Sequence, residues 1–133
     1  MSQSFAQMLG RVRTFHEKHE FAENNGHDMA YRLLLTMEEL GELAECITKG
    51  KPQSERAEEL ADLLILTLGH AIAMDLDLEA AFDAKLEEVM QRPAIQGDLG
   101  VRVTRYKPPG SREAGCGGRG SRGRKHGRSS GSA

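Results

Sequence analysis

Along residues 4–20 the apolar side chains fall at Phe5, Met8, Leu9, Val12 and Phe15. Steps of three and four residues put them on one stripe of a helix. Asn24-Asn25-Gly26 breaks the pattern. Asp28 then offers a side-chain cap for a second helix running to about Lys49, with Leu33, Met37, Leu40, Ala44 and Ile47 as its apolar stripe. Gly50-Lys51-Pro52 ends it, and Lys49 sits near the negative end of the helix dipole. Ser54 is read as the cap of a third helix over about residues 55–74. Asp77 is read as the cap of a fourth, through about Gln91, with Leu78, Phe82, Leu86, Val89 and Met90 inward. Pro93 follows, and Val101–Tyr106 alternates weakly, as a short strand does.

The third helix is unusual. Between Leu60 and Met74 the polar side chains are Asp62, Thr67 and His70 alone. Its leucines point to every side of the helical wheel, and a helix apolar all round is normally buried all round. Four helices of one chain hardly cover it. The pattern therefore predicts an all-α, four-helix bundle completed by oligomerisation, as a dimer or tetramer.

Charge divides the chain. Residues 1–107 carry 12 Lys and Arg against 19 Asp and Glu, whereas residues 108–133 carry six basic residues and one acidic. The first stretch reads as one helical domain. The second, rich in Gly, Ser and Arg with almost nothing apolar, reads as a disordered basic tail suited at most to weak nucleic-acid binding. An acidic body argues against a nucleic-acid-binding domain. It suits an enzyme that meets a phosphorylated substrate through divalent cations. Cys46 and Cys116 form no CxxC and no evident pair, which fits a reducing, cytoplasmic setting. Neither a signal peptide nor a membrane-spanning apolar run is expected.

The candidate chemistry lies in two short runs, Glu38-Glu39-Leu40-Gly41-Glu42 and Glu58-Glu59-Leu60-Ala61-Asp62. Residues three apart share a helix face, so Glu39 with Glu42 and Glu59 with Asp62 are two carboxylate pairs. A short connection packs the two helices antiparallel and lets the pairs meet. Clustered carboxylates repel unless a cation neutralises them, and oxygen ligands without His or Cys select hard ions, Mg²⁺ or Mn²⁺. Glu38, Glu45, Glu55 and Glu58 read as a solvated face. Asp62 stands out, because a carboxylate inside so apolar a segment needs a partner or a metal. Gly41 in mid-helix points to a close approach by a helix or ligand. His16 and His19 read as an incidental pair, and His70 as packed or hydrogen-bonded. There is no phosphate-binding loop of the P-loop type, and no Glu-x-x-His as in di-iron bundles.

The run EELGELAECITKGKP, followed by EELADLLILTLGHAIAMDLDLEAAFDAKLEEV, resembles the MazG-like branch of the all-α nucleoside triphosphate pyrophosphohydrolases, over roughly residues 28–92. The resemblance implies Mg²⁺ held by Glu39, Glu42, Glu59 and Asp62, which also make up the catalytic set. It implies hydrolysis of a (deoxy)nucleoside triphosphate to the monophosphate and pyrophosphate by metal-activated water. A house-cleaning role in the nucleotide pool goes with it. Lys85 matches a basic residue that contacts substrate phosphate. The pattern departs at Val89, where many relatives carry Asn. A helical interaction module that has lost turnover and binds nucleic acid through its tail is the alternative, and the complete four-carboxylate set favours the enzyme.

Overall fold

The computed structural model describes residues 1–105 and Gly110. It contains four helices and a two-stranded hairpin: α1 (Phe5–Lys18), α2 (Met29–Thr48), α3 (Gln53–Ala73), α4 (Leu78–Met90), β1 (Ala94–Gly97) and β2 (Gly100–Val103). The chain divides into two compact units, Met1–Leu86 and a second that begins at Glu87. None of the described helices is long and apolar enough to cross a membrane.

Local chemistry sets the helix ends. Ser4 and Gln7 form a reciprocal capping box, Gln7 N–H donating to Ser4 Oγ at 3.2 Å and Ser4 N–H to Gln7 Oε1 at 2.8 Å. Asp28 Oδ1 accepts from Tyr31 N–H at 2.8 Å and Asp77 Oδ1 from Ala80 N–H at 3.0 Å, as expected for caps. Ser54 does not cap α3. The helix starts at Gln53 behind Pro52, with no side-chain cap, which leaves Ser54 inside the first turn. Three helices close in the same way. The α2 end places Gly50 at φ +62°, with Lys51 N–H on Cys46 O at 2.9 Å and Gly50 N–H on Ile47 O at 3.2 Å. Glu20 after α1 and Asp75 after α3 take the same left-handed position, at φ 51° and 52°.

In the first unit α3 packs against both α2 and α1. Val12, Cys46, Leu68 and Ala71 are its buried apolar residues. On α1, Phe5, Met8, Leu9 and Val12 turn inward as expected, but His16 is buried where Phe15 was expected, and Phe15 is exposed.

The inward face of α2 is not its apolar stripe. Arg32 and Cys46 are buried, and Leu35, Thr36, Glu39 and Leu43 are half-buried. Leu33, Met37, Leu40 and Ile47, from the apolar stripe seen in the sequence, are all exposed, Met37 at 68 %. Residues 32, 36, 39, 43 and 46 follow helical spacing and form the half of α2 that meets α3. Their counterparts on α3 are Glu55, Glu59, Leu63, Leu66 and His70, all partly covered. Leu60, Leu64 and Ile65 remain exposed on α3, and Phe82, Leu86 and Met90 on α4. The strongest apolar stripes therefore point out of the chain.

In the second unit the strands pair antiparallel from Ala94↔Val103 to Gly97↔Gly100 around a two-residue turn. Ile95 is buried there. The expected strand at Val101–Tyr106 is found as β2, ending at Val103. Its partner β1 was not expected. Apart from Gly110, the basic tail, with Cys116, lies outside the described residues.

Candidate metal centre

Glu39 and Glu42 lie one turn apart on α2, and Glu59 lies on α3. The connection between these helices spans only Lys49–Pro52, so the chain doubles back and α2 runs along α3. One carboxylate oxygen from each of Glu39, Glu42 and Glu59 lies within 4.8 Å of the others. Glu39 and Glu59 are half-buried and Glu42 is exposed.

The electrostatics of the group are those of crowded like charges. Loss of water raises the Glu39 carboxyl above the ordinary carboxylate range, and Glu42, Asp62 and Glu59 add to the effect. Glu59 is raised in the same way, by loss of water and then by the charge of Glu42 and a hydrogen bond to it, with Lys51 opposing. The cluster thus holds negative charge that a cation would neutralise. The donor set is oxygen only, with three carboxylates close enough for a single ion to touch. That set fits a hard divalent cation and gives no soft or imidazole ligand.

Asp62 stands apart from the three. It is exposed on α3, not enclosed by the apolar residues around it in sequence. Its charge still acts on Glu39 and Glu59. It also borders, with Glu39, a groove of about 730 Å³. Met8, Val12 and Phe15 of α1 line this groove, with Leu35 of α2 and Ile65 and Leu66 of α3. Arg11 lies on its wall, and its Nη1 donates to Gln3 Oε1 at 3.0 Å. Apolar walls with a few charged groups are the usual make-up of a small-molecule site. Lys85 is exposed on α4. A methyl group at Gly41 would meet nothing within 4 Å, so none of the described residues makes the close approach expected there.

The histidines divide. His19 is exposed at the end of α1. His16 is buried, and its Nδ1 lies 2.9 Å from His27 Nε2. His70 is hydrogen-bonded, as expected, to Arg32 and Thr36. Arg32 escaped the sequence reading. Its signal was a lone guanidinium one turn from Thr36 in an apolar run. The α1 wall of the groove escaped it too, because nothing in α1 looks chemical.

The site is thus a group of three acidic side chains gathered where two antiparallel helices of a mostly helical protein meet. Residues 29–94 match the family model described as the MazG nucleotide pyrophosphohydrolase domain, and this stretch of the chain belongs to that family. Both carboxylate pairs and Lys85 fall inside it. No curated protein and no solved structure matches the chain.

Proposed function

We propose that this chain is a Mg²⁺-dependent nucleoside triphosphate pyrophosphohydrolase, with Mn²⁺ as a substitute ion, that converts a (deoxy)nucleoside triphosphate and water to the monophosphate and pyrophosphate. The observation that carries this reading is the meeting of Glu39, Glu42 and Glu59 at the contact of α2 and α3, inside the stretch that belongs to the pyrophosphohydrolase family. These three residues hold the cation, and Asp62 completes the set from the edge of the groove. A bound divalent ion supplies charge neutralisation at phosphate oxygens and a lowered pKa for water. The groove receives the base and sugar between α1 and α3, with apolar walls that exclude water around them. Lys85 binds a phosphate oxygen. The α–β anhydride is cleaved and one water is consumed. The role is removal of unwanted nucleotides, standard or damaged, in the cytoplasm.

The working unit in this proposal is a dimer or tetramer. Leu33, Leu34, Met37 and Leu40 on α2, Leu60 and Leu64 on α3, and Phe82 on α4 are between 46 % and 68 % exposed. So much apolar surface on three helices of a small chain calls for a second copy. The basic tail adds at most weak, salt-sensitive contact with nucleic acid.

The test is a product analysis. The protein is incubated with each nucleoside triphosphate and Mg²⁺, and the phosphorus products are resolved by NMR. Monophosphate and pyrophosphate are expected. Diphosphate with orthophosphate, or no turnover of any triphosphate, would refute the assignment.

A further inference from the structure

Arg32 is 2 % exposed, yet among the described residues no carboxylate is a hydrogen-bond partner of it. Its Nε donates to His70 Nδ1 at 3.0 Å, its Nη1 to Gly26 O at 3.0 Å and its Nη2 to Leu66 O at 3.4 Å. His70 Nε2 lies 2.8 Å from Thr36 Oγ1, which donates to Arg32 O at 3.0 Å. The directions of these bonds follow from the donors. A guanidinium only donates, so His70 Nδ1 accepts and its proton sits on Nε2, facing Thr36. The imidazole is thereby fixed as neutral, in one tautomer. A proton on Nδ1 would face N–H against N–H beside a permanent cation.

A buried guanidinium without an acid is expensive, and an apolar side chain of similar size would be the cheaper way to fill this place. What the polar set adds is geometry. Arg32, Thr36 and Glu39 follow one another on the α2 face that meets α3. Glu59, Leu63, Leu66 and His70 do so on α3. Bonds from Arg32 to both His70 and the Leu66 carbonyl fix rotation and register of one helix against the other. The same helices carry, two to three turns away, carboxylates that repel one another across the contact. Half-buried leucines alone would let them slip.

We propose that Arg32, Thr36 and His70 form a bracket that positions Glu39 and Glu42 against Glu59, so that the divalent-cation affinity of the cluster depends on the bracket and on the protonation state of His70. The inference rests on the metal-centre reading above. Arg32 is the charged group that faces His70. On its other side Arg32 lies against His16, over Gly69, and His16 in turn faces His27 and the charge of Arg13. Among the described residues, no acid acts on His70 to favour its protonated form. Burial, and then Arg32, hold its pKa below the ordinary histidine value. The sign is therefore fixed. The bracket is intact while His70 is neutral, and acid that protonates it weakens the cation site.

The test uses Mn²⁺ as the probe, read by electron paramagnetic resonance on the full chain at neutral pH. Arg32→Met removes the buried charge and keeps the volume. It is expected to remain folded by thermal melting, yet to bind Mn²⁺ about tenfold more weakly, the scale seen when a group that orients a metal ligand is lost. His70→Leu should show the same loss. His70→Gln, with an amide oxygen for Arg32 and an amide N–H for Thr36, should restore the affinity. It should also lose less of that affinity than the parent on going to pH about 5.5, because the amide does not titrate. If Arg32→Met and His70→Leu bind Mn²⁺ as the parent does, the bracket is overturned and the metal centre stands. If the parent binds no Mn²⁺, both fall together.

Discussion

His16 and His27 meet nitrogen to nitrogen at 2.9 Å, and His16 has only 4 % of its surface exposed. Burial, then Arg32, His27 and Arg13, lower the His16 pKa from 6.5 to about 4. The folded protein thus keeps His16 neutral where the unfolded chain protonates it. Stability is intact above the ordinary value of 6.5 and is lost as pH falls from there toward about 4. The loss is at most about 3 kcal/mol. Urea midpoints followed from neutral pH to pH about 4.5 should fall for the parent, and distinctly less for His16→Gln, which cannot take up the proton. Parallel slopes for the two proteins would mean that His16 is not the acid-sensitive group.

Gly69 lies beneath the same cluster. A methyl group there would stand 2.1 Å from Arg32 Nη2 and 2.9 Å from His16 Nε2. Both groups are buried and tied by hydrogen bonds, so neither yields cheaply. Gly69→Ala should therefore cost about 2 kcal/mol or more by overpacking, although Ala is the better helix former by about 1 kcal/mol. Gly10 of α1 has nothing within 4 Å of such a methyl group. Gly10→Ala should be neutral or gain up to about 1 kcal/mol. Chemical unfolding of the two variants side by side checks the contrast.

The outward stripe of α2 carries the expectation of self-association. Met37→Glu places a charge where the proposal has a second copy. Sedimentation at micromolar concentration should find the parent as a dimer or larger, and the variant shifted toward monomer with its helical signal reduced. An equally associated variant would move the interface elsewhere on the molecule.

The sequence showed where apolar stripes run, but not which body covers them. On α2 the apolar stripe runs through Leu33, Met37 and Leu40, and all three are exposed. In the chain itself Arg32, Thr36 and Glu39 face α3, where Arg32 and Thr36 meet His70 and Glu39 joins Glu42 and Glu59. The carboxylate pairs were legible because a step of three keeps residues on one face. Asp62 departs all the same: it is exposed on α3 and lies outside the group that Glu39, Glu42 and Glu59 form. Asp28 and Asp77 announced their helices by an ordinary capping residue. Ser54 misled because Pro52, whose fixed φ suits a helix start, opens α3 earlier. Strand β1 was hidden by its shortness and by Pro93 and Gly97 at its ends.

The central claim is that Glu39, Glu42 and Glu59 hold a divalent cation, and thermal melting with and without Mg²⁺ tests it most directly. Glu39 has its pKa raised by loss of water and by its acidic neighbours, so its charged form is disfavoured in the metal-free fold. Glu39→Gln removes that charge with little change of shape. Without metal the variant should melt at the same temperature as the parent or higher. Added Mg²⁺ should raise the melting temperature of the parent and leave the variant nearly unmoved, since an ion stabilises only the folded state that binds it. The contradicting result is a Mg²⁺ shift of equal size in both proteins, or none in either, with Glu39→Gln less stable than the parent from the start.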